Sequence, residues 1–502
     1  MKKRLTAVLL SALLLLTSCS ERGADIIINA DGYEGILLAT EHSVAAPVSI
    51  PSTASNPTEA TEDSESRSDT ETDPADESSA VPTEPAPETA STATTPSATA
   101  ATTTASTTTT MAATTTTTPP PAATTTPAPI TQPSGSNSYK ALNYKEVKGV
   151  WISYIELSSI LTGKTESQFT SSIRQVYANC RDMGINTVYV HVRSHGDAYY
   201  NSQYYPWSRY VTGTIGAAPS FDPLEIMIRE AHAMELSFQA WINPYRISST
   251  TDIKSVSSKY ATGSWYQTSE GDRVVAVGGF YYINPGYDEA IDLIAAGARE
   301  ITANYDVDGV HIDDYFYPTT ESYFDSKAFA ASGYSSLLTF RMNNCDKTVK
   351  ALYNAVKAGN SSALFGVAPQ GNVQNNYYYM YADVEKWCST AGYLDYIAPQ
   401  IYFGFKNASQ PYETVLAQWQ SMVSGTGVKL VPGLAVYKIG TEDSTGNGRY
   451  EWINDKEIIK RQIVSARSTA NYGGVILYSY NYVFSTSAAI KAEMEAVKAL
   501  FI

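Results

Sequence analysis

The 502-residue chain is short of positive charge, with 35 Lys and Arg against 50 Asp and Glu and a formal net charge of −15. Nothing in it resembles a basic nucleic-acid footprint, which sets that class of partner aside. Cysteine is scarce too, with 4 in the chain. Cys180, Cys345 and Cys388 cannot all pair, and their spacings match no zinc motif, so neither a disulfide framework nor a zinc site is expected. They fall in stretches that read as outer helices, where a thiol behaves as a small buried apolar group. No strand is followed by a glycine-rich phosphate loop and no His/Asp set is spaced to hold a metal, so no cofactor or metal is expected. Aromatic residues are missing from about Ser49 to Ser138, a stretch of Thr, Ser, Ala, Pro and acid that cannot bury enough surface to offset chain entropy. The acids cluster there, from Glu59 to Glu88, so the negative charge belongs to a solvated spacer and carries no information about substrate.

What is present divides the chain in three. Lys2, Lys3 and Arg4 precede an apolar run, Leu5 to Leu16, too short to span a bilayer. Leu16-Thr17-Ser18-Cys19 resembles the lipobox of bacterial lipoproteins. That resemblance implies a signal peptide over residues 1–18, lipidation of Cys19, and export to the outer face of the bacterial cell membrane with a lipid anchor there. Residues 19–138 read as a disordered tether whose effect is reach, although Ile26-Ile27-Ile28 within it has no evident role. Residues 139–502 read as one folded domain, expected to act as a monomer.

That domain alternates short β-branched and aromatic runs with amphipathic helical stretches. Strands are expected at Val147–Tyr154, Thr187–Arg193, Phe238–Tyr245, Gly309–Phe316, Leu364–Gln370, Tyr396–Phe403, Lys429–Tyr437 and Gly474–Tyr480. Asp222-Pro223 marks a helix start with its N-cap and first-turn proline. Asn454 is expected to open another helix. Eight strands, each followed by a helix, predict an α/β fold of the (β/α)8 TIM-barrel class. A doubly wound open sheet is disfavoured by the missing phosphate loop. After the third strand some forty residues intervene, in which Val274–Val277 and Phe280–Ile283 read as a hairpin turning on Gly278-Gly279. A long loop at this face serves as a wall or lid over substrate.

In such a barrel the site is assembled from the C-terminal strand ends. These carry many amides and phenols and few acids, which suits a polysaccharide: amides and guanidinium groups bond hydroxyls, and aromatic faces pack on sugar rings. Strand four reads Asp308-Gly309-Val310-His311-Ile312-Asp313-Asp314-Tyr315. Alternation directs Val310 and Ile312 to the helices and His311 and Asp313 to the barrel axis. Asp314 reaches the mouth if the strand turns there. Glycoside hydrolysis needs an acid for the leaving oxygen and a second group at the anomeric carbon. Here that second group is the neighbouring Asp, a loop acid such as Asp197 or Glu156, or the substrate's own acetamido group.

A series of motifs in order then resembles the glycosyl-hydrolase-like family 10 proteins of bacteria, from Val147 to the C-terminus. They include Gly149-Val150-Trp151, Gly184-Ile185-Asn186-Thr187, Gly196-Asp197-Ala198, Pro206-Trp207-Ser208, Phe221-Asp222-Pro223-Leu224, Trp241-Ile242-Asn243-Pro244-Tyr245-Arg246 and Asn284-Pro285-Gly286. The resemblance implies a barrel glycosidase, with many members lipoproteins, acting on peptidoglycan glycan strands stripped of peptide. It makes Asp313 and Asp314 the catalytic candidates, and Arg193, Asn243, Tyr245 and Arg246 candidates for substrate binding. The rim position of His311, Gln400 and Tyr402 adds them to that set. Strand four is also similar to that of the family 18 chitinases, but Tyr315 stands where their acid Glu would be and His311 where their middle Asp would be. Which Asp is the acid stays open. The expected function is hydrolysis of a cell-wall or related N-acetylated β-linked glycan. The alternative is a non-catalytic glycan-binding surface lipoprotein.

Overall fold

The computed structural model describes residues 137–443 and 446–502, with two short segments near the start, Ile27–Ile28 and Glu34–Gly35, paired antiparallel. Cys19, the expected signal segment and nearly all of the expected tether lie outside the described residues. Nine parallel segments are hydrogen-bonded in one sheet, and two of them, Lys429–Leu430 and Gly433–Ala435, are halves of a single strand. The first half pairs with Tyr396–Ile397 and the second with Gly474–Tyr478. Because one stretch bonds to neighbours on both sides, the sheet closes on itself as an eight-stranded barrel. The strands in chain order are Val147–Ile152, Thr187–Arg193, Ser237–Ile242, Gly309–Ile312, Leu364–Val367, Tyr396–Ile397, the split seventh strand, and Gly474–Tyr478. A helix follows each, among them Pro223–His232 after the second, Asp288–Asn304 after the third and Leu337–Gly359 after the fourth. The chain is a TIM barrel.

Alternation decides which side chains fill it. Val188, Val190, Val310, Ile312, Phe365 and Val367 face outward and are buried under the helices. Trp151, Tyr189, Trp241, Tyr396, Val431 and Ile476 point inward and pack together. Rings of this size fit only because glycines stand opposite them. A Cβ on Gly433 would lie 2.7 Å from the Trp151 ring, one on Gly149 2.9 Å from Tyr189, and one on Gly366 inside the Tyr396 ring. The barrel centre is therefore closed by aromatic side chains.

The insertion after the third strand is a three-stranded antiparallel sheet of Arg246–Ser249, Phe280–Ile283 and Val274–Val277. Gly278 and Gly279 both have positive φ, 55° and 83°, as a tight primed turn requires. Asp222 caps Pro223–His232 through the backbone N–H groups of Leu224 and Glu225. Asn454, in contrast, ends the short helix Glu451–Asn454, and the next helix opens at Ile458. The cap there comes from far away in sequence, since Glu493 accepts from the backbone N–H groups of Ile458 and Lys460. Cys180, Cys345 and Cys388 are free and buried.

Gly366→Ala should destabilise the barrel by about 1–3 kcal/mol, as overpacking of a filled interior does. Gly427→Ala, where an added Cβ meets nothing within 4 Å, should be close to neutral. Paired denaturant titrations check both.

Candidate active site

The fourth strand ends at Ile312, and the next two residues sit at the C-terminal mouth. Asp313 continues the inward parity of His311. Its Oδ2 accepts from Trp241 Nε1 at 3.0 Å, and its Oδ1 accepts from the backbone N–H of Tyr315 at 3.2 Å. Asp314, half-buried where Asp313 is buried, accepts at Oδ1 from Gln400 Nε2 at 3.0 Å. Gln400 is held in turn by the carbonyl of Ala368 at 2.9 Å. The structure thus brings both acids to the mouth and fixes each by a donor from a different strand.

Both carboxyl groups titrate above their ordinary range, Asp313 well above it. Desolvation is the main cause for each, and for Asp313 the charge of Asp314 adds to it. Opposing this are the Trp241 and Tyr315 bonds and the charge of Arg246 on Asp313, and bonds from Gln400 and Gln370 on Asp314. Two adjacent buried carboxyls cannot both ionise cheaply, so the pair keeps a proton well above the pH at which a solvated aspartate loses one.

The floor below the pair is an ordered set of neutral imidazoles. Trp151 Nε1 can only donate, so His311 Nε2, 3.1 Å away, is an acceptor. His311 Nδ1 then carries the proton and donates to Tyr396 Oη at 3.0 Å. Burial pushes His311 down to about 3, so it stays neutral. His191 stacks on Trp241 with ring centroids 3.3 Å apart, and accepts at Nδ1 from the backbone N–H of Tyr154. Its Nε2 is therefore the protonated nitrogen, 3.5 Å from Asn243 Oδ1. These contacts set the plane of Trp241 and through it the position of Asp313.

The expected binding residues divide. Gln400 is at the mouth, and Tyr402 joins Tyr437 and Tyr478 in an aromatic wall with centroid separations of 5.9 Å. Arg246 lies over the Phe280 ring at 4.1 Å and 5.7 Å from Tyr315. Asn243 is buried beneath, tied to the carbonyl of Ser194 at 3.2 Å. His311 has both ring nitrogens engaged below the mouth. Arg193 and Tyr245 are elsewhere. A bulge between His191 and Arg193 breaks the alternation of strand two, so Arg193 turns out over Tyr205 at 4.3 Å, against Gly297 of an outer helix. Tyr245 lies past the end of strand three and bonds Thr348 Oγ1 at 2.9 Å, in the outer layer. Of the loop acids, Glu156 is engaged by Ser153, Ser479 and Asn481. Trp241 and Gln370 partner the acids without being among the expected site residues. Trp241 shares the parity of Asn243, and this was the signal available for it. Among the described residues no group of three or more His, Cys, Asp or Glu is placed to hold a metal ion.

Acids at the mouth of a closed parallel barrel, rimmed by amides and phenols, define the class of barrel proteins that act on glycans. The chain belongs to the Glycosyl hydrolase-like 10 family, whose model matches residues 146–451. It is 32% identical over 376 residues to glycosyl hydrolase YngK of Bacillus subtilis, covering 69% of this chain and 70% of that protein. To glycosyl hydrolase DigH of Escherichia coli K12 it is 29% identical over 400 residues, covering 70% and 88%. Among solved structures, the PgaB glycoside hydrolase domain from Bordetella bronchiseptica aligns with a TM-score of 0.45 at 12% identity, over 70% of this chain and 99% of that one.

The raised pKa of Asp313 has a consequence for stability. A folded-state value above the unfolded one means that the native chain holds protons more readily than the unfolded chain. The stabilisation is fully present below the unfolded aspartate value and is lost as pH rises through the folded one. Asp313→Asn removes that loss, so its melting temperature should gain on the wild type between pH 4 and pH 8. A melting series across that range reads the difference.

Proposed function

We propose that this protein hydrolyses N-acetylated β-linked glycan, with peptide-free peptidoglycan strands as the substrate, by acid catalysis from the strand-four pair. The observation that carries the reading is the Asp313-Asp314 doublet itself, two desolvated carboxyls held by Trp241 and Gln400 at the open end of the barrel. Asp308, at the other end of the same strand, shows what a structural acid looks like. It accepts from Tyr139 Oη, from the backbone N–H groups of Leu142 and Phe238, and bonds His232 Nε2. The mouth pair has fewer donors and holds its proton to higher pH, the combination a proton donor needs near neutral pH.

In this mechanism Asp314, the more exposed of the two, protonates the glycosidic oxygen, and the C1–O bond breaks with its electron pair going to that oxygen. Asp313, fixed at both oxygens, faces the positive charge that develops. The acetamido carbonyl of the substrate attacks C1, and a water then opens the resulting ring, its proton returning to Asp314. This route fits a mouth where Glu156 is already engaged and, among the described residues, no third carboxyl is named as acting on the pair. The similarity to YngK and DigH supports a hydrolase. The lipobox-like Leu16-Thr17-Ser18-Cys19 supports export and lipid anchoring at Cys19, which would put the barrel where cell-wall glycan is found.

Incubation with denuded peptidoglycan, chitin oligomers and a plant-glycan panel, with products read by mass spectrometry, tests this directly. Asp314→Asn should lower kcat by roughly 10³ with little change in glycan binding. Glycan capture with no product from the wild type would instead identify a binding protein. Gln400→Met removes a donor that favours the ionised Asp314, so the alkaline limb of kcat/KM should move to higher pH.

A further inference from the structure

Beside the mouth lies a second feature, a cavity of about 40 Å³ between the loop after strand two and the antiparallel insertion. That is room for a small substituent, a few waters' worth of space, and not for a whole sugar ring. Pro206, Ile215, Ile247, Val256 and Phe280 give it an apolar lining, and His195, Asp197 and Tyr210 supply its polar groups. Asp197 is only 7% exposed. Its Oδ1 is buried with no hydrogen-bond partner, and burial pushes its carboxyl up to about 6 despite Ser208, the His195 backbone N–H and the charge of Arg193. A buried acceptor without a partner is destabilising, and a ligand that donates to it relieves that cost. The rest of the cavity is fixed. The Tyr210 ring packs on Tyr154 at 4.9 Å and on His195 at 5.8 Å, and Arg209 at its edge is paired with Asp252 at 2.8 Å.

The cavity shares a wall with the active site. Phe280 lines it, and on the Phe280 ring lies Arg246, whose charge acts on Asp313. A polymer threaded across the mouth therefore presents a neighbouring residue to this space. What fits is a small group with an apolar end, one N–H donor and one acceptor. We infer that the cavity is a subsite for the acetamido group of a sugar adjacent to the cleaved bond, its N–H donated to Asp197 and its methyl set against Ile215, Ile247 and Phe280. An ammonium group would want a wet, charged surface and would leave the apolar lining uncovered. This rests on the reading of the protein as glycan-binding, but it does not depend on Asp314 acting as an acid.

Binding without turnover separates the two. The full-length Asp314→Asn chain is titrated calorimetrically with the hexamer of N-acetylglucosamine and with the fully de-N-acetylated hexamer. The acetylated hexamer should bind at least 10-fold more tightly. Asp197→Leu should weaken the acetylated hexamer by about that factor while leaving the other unchanged, so that the preference collapses. Ile215→Trp, which fills the cavity from its half-exposed edge and leaves the carboxyl in place, should do the same, and covers the case in which Asp197→Leu misfolds. Equal binding of the two hexamers, binding of neither, tighter binding of the de-N-acetylated one, or full preference in a folded Asp197→Leu chain would each overturn the inference. Cleavage of denuded peptidoglycan by the wild type, measured separately, bears only on the acid.

Discussion

Two ionised carboxylates on consecutive residues repel each other, and removal from water makes the repulsion worse. Everything around the mouth is arranged about that constraint. Trp241 and Gln400 reach the pair from strands three and six, one donor to each acid, so neither side chain can rotate to escape the other. The neutral imidazoles below add no charge that would relieve the repulsion, since burial keeps His191 and His311 unprotonated. Arg246 is the cation that acts on Asp313, and it is spread over two aromatic faces. The fold holds the pair where it is electrostatically uncomfortable, which is how protein interiors keep reactive groups poised.

The aromatic floor serves the same end. Trp151, His311 and Tyr396 form a hydrogen-bonded chain across the barrel axis, and His191 stacks on Trp241 next to it. Glycines opposite these rings let strands approach closely without voids. A dry, filled interior excludes water from beneath the acids, so hydration reaches them only from the mouth, where substrate would displace it.

Much of this was legible in the sequence, because the barrel obeys a period of two. Strand positions, the Gly278-Gly279 hairpin, the Asp222-Pro223 helix start and the inward direction of His311 and Asp313 all follow from local pattern. The failures have local causes as well. The bulge after His191 slips the alternation by one residue, and one residue of slip sends Arg193 to the opposite face. Tyr245 was assigned to a strand that stops at Ile242, since the antiparallel insertion takes over at Arg246. The cap of the helix at Ile458 is Glu493, more than thirty residues on, and no local signal announces it. Trp241 stands in a legible motif, but its role as donor to Asp313 depends on the register between strands three and four, which pairs Trp241 with His311.

The segment that enters the barrel has its own geometry. Asn137, Tyr139 and Leu142 are fastened to the floor, through the carbonyl of Gly359 and the Asp308 carboxylate. Asp308 and Asp313 are five residues apart on one extended strand, roughly 16 Å. Tension applied through the amino-terminal side is therefore taken up at the closed end, across bonds that run to the base of strand four. The acids at the far end stay unloaded, so a pull on the amino-terminal side would leave the mouth undisturbed.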